Sequence, residues 1–248
     1  MNHDRSLRMP RSRESVDPGE GSSKDFEDFI YLISHDVRAS VRALIELPQW
    51  IAEDLTEAGV KIDGPIRDNI DLMNRHTGRL DRMLVDLLTF SRVGRMQKVA
   101  EVDLDKALTE VLEETNIPAG FTVIRALDCR KVTIGERDVL TLLSALITNA
   151  IRHHDRDSGK VLVTAHQDRG SVVISVRDDG PGIPIGYRER VFGAMITLRP
   201  RDEVEGSGMG LAITRKIALL YNGSVSILDN ADTRGTLVEL RLPAKTAL

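Results

Sequence analysis

The chain has 248 residues, 41% of them apolar and 29% charged, with a formal net charge of −4. This length suits one medium domain with a smaller one. Lys and Arg are interspersed with Asp and Glu, which excludes a basic field for nucleic acid or an anionic membrane.

Cys129 stands alone, so no intramolecular disulfide or cysteine zinc cluster is expected. No apolar run approaches the roughly 18 residues of a membrane span. Residues 1–22 are rich in Arg, Ser, Glu and Pro. They read as a disordered tail without a secretory signal. A cytoplasmic protein without membrane insertion is expected, with any sensing part on a separate protein.

From Phe26 the apolar residues repeat every seven. Ile30, Val37, Leu44 and Ile51 form one line, and Phe26, Ile33, Ser40 and Leu47 the adjacent one. Together they predict an a/d seam on a long helix. The run Ile62-Asp63-Gly64-Pro65 predicts a turn, with Pro suited to a helix start. A second seam follows through Ile66, Ile70, Met73, Thr77, Leu80, Leu84, Leu87 and Ser91.

Two such helices make an antiparallel hairpin over residues 23–97 whose stripe one hairpin cannot cover. Each buried seam side chain contributes roughly 1.5–3 kcal/mol, so a homodimeric four-helix bundle is expected. The alternative is that the stripe packs on the C-terminal domain of the same chain.

Residues 98–248 change period. Helices are predicted at 104–114, from about Arg137 to His153, and at 209–221. Strands are predicted near 121–127, 132–134, 161–165, 172–176, 224–228 and 236–242. Helices on one face of a mixed sheet make an α/β sandwich, and the fold class is α+β.

Two glycine motifs carry the chemistry. Asp178-Asp179-Gly180-Pro181-Gly182-Ile183-Pro184 follows a buried strand, and Gly206-Ser207-Gly208-Met209-Gly210-Leu211 precedes an apolar helix. A glycine turn at a helix N-terminus leaves N–H groups free to cradle phosphate. On the helix before them Asn149 and Arg152 lie three apart and share a face. Asn offers a neutral oxygen for Mg²⁺ and Arg a fork for phosphate.

Together these motifs resemble the ATP-binding domain of sensor histidine kinases, in the superfamily shared with gyrase, Hsp90 and MutL (GHKL). By that resemblance Asn149 holds Mg²⁺, Arg152 reaches the phosphates, and Asp178 accepts the adenine amino group. Gly180 and Gly182 shape the adenine pocket, and Ile183 and Leu211 also contact the nucleotide. Gly206, Ser207, Gly208 and Gly210 form the lid hinge and phosphate cradle. Thr236, after Arg234-Gly235, matches the final motif near adenine, and His153 stands where an aromatic often lines the pocket. Phe192 fits a phenylalanine box, and Arg199 or Arg201 approaches the γ-phosphate.

The segment from Phe29 to Arg38, containing Ser34-His35-Asp36-Val37-Arg38, resembles the family's phosphoacceptor box. Stepping by seven through His35 gives Asp28, Arg42 and Gln49, a polar line, so His35 is expected to face solvent. The resemblance implies an ATP- and Mg²⁺-dependent protein-histidine kinase. It would autophosphorylate His35, with Asp36 orienting the ring, and pass the phosphoryl group to a response regulator receiver domain. His35-Asp36, Ser91-Arg92-Val93-Gly94-Arg95 and the run from Arg199 to Gly206 are together similar to the subgroup often attached to phytochrome or PAS sensors.

Departures keep two other readings open, a phosphotransfer intermediary and an ATP-binding dimeric adaptor. Ala145 replaces a frequent Asn, Met195 a phenylalanine, and Ser40 a proline, which moves the expected bend to Pro48. Ala39 stands where members with phosphatase activity have Thr or Asn. A gyrase- or Hsp90-like ATPase is disfavoured, because Ser144 and Ala145 stand where those relatives place a catalytic Glu.

Overall fold

The computed structural model describes residues 18–95, 97–199, 206–229 and 234–244, with side chains described from Asp36 onward. Two long helices come first, α1 (Pro18–Glu57) and α2 (Gly64–Arg92). Asp63 precedes α2 in extended backbone, and Pro65 occupies its first turn, where a missing N–H costs nothing. Residues 1–17 of the expected tail lie outside the described residues, and the helix is already formed at Pro18. α1 runs unbroken through Pro48, whose buried ring lies on the same side as Val41.

The seams divide differently from the single stripe expected. On α1 the line that turns inward is Val41, Ile45, Pro48, Ala52 and Leu55. Val37, Leu44, Leu47 and Ile51 are 38–44% exposed. On α2, Ile70, Thr77, Leu84 and Ser91 are covered, whereas Ile66, Met73 and Leu80 are exposed. Two adjacent heptad lines cannot both face one partner helix, so one closes the hairpin and the other stays open. The C-terminal domain does not cover that open line.

The C-terminal part begins with β1 (Val99–Asp103), which the sequence reading did not predict, then α3 (Leu104–Glu114). Asp103 caps α3, accepting the N–H groups of Asp105 at 2.9 Å and Lys106 at 3.1 Å. Next come β2 (Phe121–Leu127), β3 (Lys131–Gly135), α4 (Glu136–Arg152), β4 (Gly159–Asp168) and β5 (Ser171–Asp178). The chain continues with α5 (Gly210–Leu220), β6 (Ser224–Leu228) and β7 (Leu237–Pro243).

The main sheet has the order β2-β4-β5-β7-β6, parallel between β2 and β4 and antiparallel elsewhere. A two-stranded ribbon pairs β1 with β3. Val161, Val163 and Ala165 of β4 alternate inward, as do Val172, Ile174 and Val176 of β5 and Val238, Leu240 and Leu242 of β7. Against them α4 packs Val139, Leu142, Leu143, Leu146 and Ile147, and α5 packs Ile213 and Ile217. That core fixes the ends of β5 and β7 beside one face of α4.

The hairpin joins this domain through apolar packing of Leu87, Phe90 and Val93 on its core and through polar contacts. The Tyr221 hydroxyl donates to Asp138 Oδ2 at 2.6 Å and accepts the Gly135 N–H at 3.0 Å, and the Gly94 N–H donates to Asp138 at 3.1 Å. Lys216 Nζ donates to the Phe90 carbonyl at 2.8 Å and sits 4.4 Å from the Phe90 ring centroid. Tyr221→Phe should cost about 1–3 kcal/mol, because it leaves the buried Asp138 carboxylate and the Gly135 N–H short of a partner. Urea unfolding followed by circular dichroism measures that loss.

Candidate active site

A cavity of about 890 Å³ lies between one face of α4, the ends of β5 and β7, the glycine motifs and helix α2. α4 presents Ser144, Ala145, Thr148, Asn149, Arg152 and His153 to it, positions a turn apart on one face. Of the nucleotide-site residues named from the sequence, all but Gly180, Phe192 and the undescribed Arg201 line this cavity. Phe192 is buried in the core.

At one end, Asp178 and Thr236 close the wall. The Asp178 carboxylate accepts the Gly180 N–H at 2.9 Å and the Thr236 N–H at 3.0 Å, and the Thr236 hydroxyl also bonds to it. Burial pushes its pKa up, and these hydrogen bonds oppose the shift. The wall tolerates no side chain at Gly235. Its φ is +110°, and a Cβ there would lie 1.8 Å from the Asp178 carbonyl oxygen. Gly182, at φ +80°, faces it, and Ile183 follows in the lining.

Behind this wall His154 acts as a strut that the sequence did not reveal. Its side chain is 1% exposed. Nδ1 accepts the Arg156 N–H at 3.1 Å, so Nε2 carries the proton donated to Asp179 Oδ1 at 3.2 Å. Asp179 also accepts the Lys160 N–H at 2.7 Å, which holds its pKa below the usual carboxylate range. The Phe121 ring meets His154 edge-on at 5.3 Å. Two ordinary-looking residues thereby lock the segment that aims Asp178.

At the other end lie Gly206, Ser207, Gly208, Gly210 and Leu211, at the N-terminus of α5. Gly208, at φ +74°, passes so close to Ile196 that a Cβ would come within 2.7 Å of its carbonyl oxygen. Arg199 lines the cavity, and Arg201 lies outside the described residues. Burial, then Arg152 and Arg199, lowers the pKa of His153, keeping the ring neutral near pH 7.

The hairpin contributes Arg82, Val85, Asp86 and Thr89 from α2. None was given a site role from sequence, because a residue on a long helix carries no local signal of what packs on it. Asp36 is exposed on α1 and does not line the cavity, and the His35 side chain lies outside the described ones.

A carboxylate acceptor at one end, an anion cradle at the other, and an amide and guanidinium between them fit a purine nucleotide with its phosphates. Residues 135–246 match the family of histidine kinase-, DNA gyrase B- and HSP90-like ATPases. The C-terminal domain belongs to that family of ATP-binding domains. A helical hairpin precedes that domain in the chain.

The methanogenesis regulatory histidine kinase FilI of Methanothrix harundinacea is 29% identical over 240 residues, covering 93% of this chain. The chain spans 26% of the length of FilI. Among solved structures, full-length ShkA in complex with AMPPNP superposes with a TM-score of 0.65 at 24% identity, over 89% of this chain and 46% of that one. Histidine kinase ThkA, solved with the response regulator protein TrrA, gives 0.62 at 20% identity, over 94% of this chain and 69% of that one. At such identities the structures speak for the fold alone. Among the described residues no helix is long and apolar enough to cross a membrane.

Proposed function

We propose that the chain is an ATP-dependent protein-histidine kinase, a homodimer that phosphorylates His35 and passes the phosphoryl group to an aspartate of a response regulator. The observation that carries this reading is that α2 lines the cavity at the height His35 occupies on α1. The hairpin turns at residues 58–63, so Asp36, 21 residues before Glu57, falls level with Val85, 21 residues after Gly64. Val85 and Asp86 line the cavity. Arg42 and Gln49, one and two heptads beyond His35, are exposed, which supports a wet face for the imidazole.

In this reading Asp178 accepts the adenine amino group, and Ser207 with the N–H groups at the start of α5 cradles the phosphates. Arg152 and Arg199 draw charge from the γ-phosphate. Among the described residues no three His, Cys, Asp or Glu gather to hold a metal. Asn149 therefore fits Mg²⁺ only as one ligand, beside nucleotide phosphates and water; bound there, the ion neutralises phosphate charge.

A free imidazole is mostly neutral near pH 7, and His35 attacks through its unprotonated ring nitrogen. An N–P bond forms, the bond from phosphorus to the β,γ-bridging oxygen breaks, and ADP leaves. The proton on the other ring nitrogen is held by Asp36.

The open line of Val37, Leu44, Leu47, Ile51, Ile66, Met73 and Leu80 supports a second hairpin as the cover, making a four-helix bundle. The ThkA–TrrA complex supports a receiver-domain partner. Ala145 in the cavity wall favours the adaptor reading, since a methyl group cannot ligate an ion.

Incubation with radiolabelled ATP and Mg²⁺ tests the proposal. Acid-labile label on the native chain and none on His35→Ala is expected, and equal labelling of both would sink it. With Ala at 39 we also expect little dephosphorylation of a phosphorylated regulator. Rapid loss of label that depends on the residues around His35 would contradict that.

A further inference from the structure

The phosphate cradle is already occupied by an anion from the chain itself. Ser207, 4% exposed, accepts the Met209 N–H at 3.1 Å and donates its own proton to the carboxylate of Asp86 on α2. A line of donors starting at the N-terminus of α5 thus ends on a hairpin carboxylate. Arg152 and Arg82 place positive charge beside the same group, and burial pushes its pKa up against them. Both Asp86 and Ser207 line the nucleotide cavity.

An ionised acid in a cradle built for phosphate cannot share it with a second anion. Like charges only a few ångströms apart repel.

We propose that Asp86 is a clasp that stands in for nucleotide phosphate, holding the ATP-binding domain on the hairpin until the phosphates of ATP displace it. This rests on the reading that the cavity binds ATP. The lower attachment is separate. Lys216 on Phe90 and Asp138 on Gly94 hold the end of α2 one turn and more below the clasp, and Gly94 lies at φ +77°. Release of Asp86 leaves that end as the pivot about which the domain turns toward the phosphoacceptor helix. The empty and loaded domains then differ in position as a direct consequence of charge in the cradle.

Calorimetric titration of the full chain with adenosine, ADP and ATP, against Asp86→Asn, tests the clasp. The substitution keeps the shape of the side chain and removes its charge. ATP should bind the variant roughly tenfold more tightly, the worth of one charge-assisted hydrogen bond, while adenosine affinity stays the same. A structural role for Asp86 would shift all three ligands alike.

Amide exchange gives the second readout. A non-hydrolysable ATP analogue should raise exchange over residues 82–89 in the native chain, whereas Asp86→Asn shows that raised exchange without nucleotide. Equal ATP affinity in both proteins, or exchange over 82–89 that nucleotide leaves unchanged, overturns the clasp. If the native chain binds no ATP at all, the nucleotide reading itself fails, and the two failures are distinct.

Discussion

Asp178→Asn should lower ATP affinity by about 100-fold or more while leaving the melting temperature of the empty protein equal to or above that of the native chain. The side-chain oxygen of Asn can still accept the Gly180 and Thr236 N–H groups, which bond to Asp178 Oδ1 at 2.9 and 3.0 Å. What changes is the group facing the cavity, where an NH₂ donor would meet the adenine amino group. Two buried donors facing each other cost about 2–3 kcal/mol or more.

The stability half of the prediction follows from the sign of the pKa shift. Burial raises the folded pKa of Asp178 above its unfolded value. Its contribution to stability is therefore full below the unfolded value, about 3.9, and is lost as pH rises through the folded one. At pH 7 the ionised carboxylate opposes folding, and its replacement by a neutral amide removes that cost. Titration calorimetry with ATP and differential scanning calorimetry separate the two halves. A variant that loses binding only because it melts early would refute the assignment.

Gly235→Ala is the second large effect, and here stability fails first. The residue sits at φ +110°, outside the region open to L-residues with a Cβ. The added carbon would lie 1.8 Å from the Asp178 carbonyl oxygen and 3.0 Å from the Asp179 Cα, so the ends of β5 and β7 must part. Strain of this kind costs about 1–3 kcal/mol in backbone alone, with the clash added.

Gly182→Ala serves as the graded comparison. Its φ is +80°, and its nearest neighbour would be the Gly235 carbonyl oxygen at 3.0 Å, which can yield by a few tenths of an ångström. Urea midpoints should fall in the order native, Gly182→Ala, Gly235→Ala, with ATP affinity falling in parallel. Equal midpoints for native and Gly235→Ala would show that the turn is looser than the structure describes.

Much of the nucleotide domain was legible because its signals are local. The helix at 104–114 and the strands at 121–127 and 224–228 end where their periodicity ends. The glycine motifs announced their chemistry because φ above zero and close backbone approach leave few other residue choices.

β1 was missed because Val99-Ala100-Glu101-Val102-Asp103 is five residues long, two of them acidic, and held by β3 some thirty positions away. The division of the heptad lines was also hidden. Val41 and Leu44 are equally apolar, and only the placement of α2 decides that Val41 is covered while Leu44 stays open. Asp86, Arg82 and His154 owe their roles to tertiary neighbours. Nothing in Leu84-Val85-Asp86-Leu87 distinguishes an acid aimed at Ser207 from one in water.

The central claim is that a phosphoryl group leaves a nucleotide in this cavity and arrives on one particular imidazole. Peptide mass spectrometry of the full chain after incubation with ATP and Mg²⁺, kept at neutral to basic pH so that N–P bonds survive, tests it most directly. The expected result is a single added phosphate on His35. Phosphate on His76, His153 or His166, or ATP consumed with no phosphorylated peptide at all, would contradict the account.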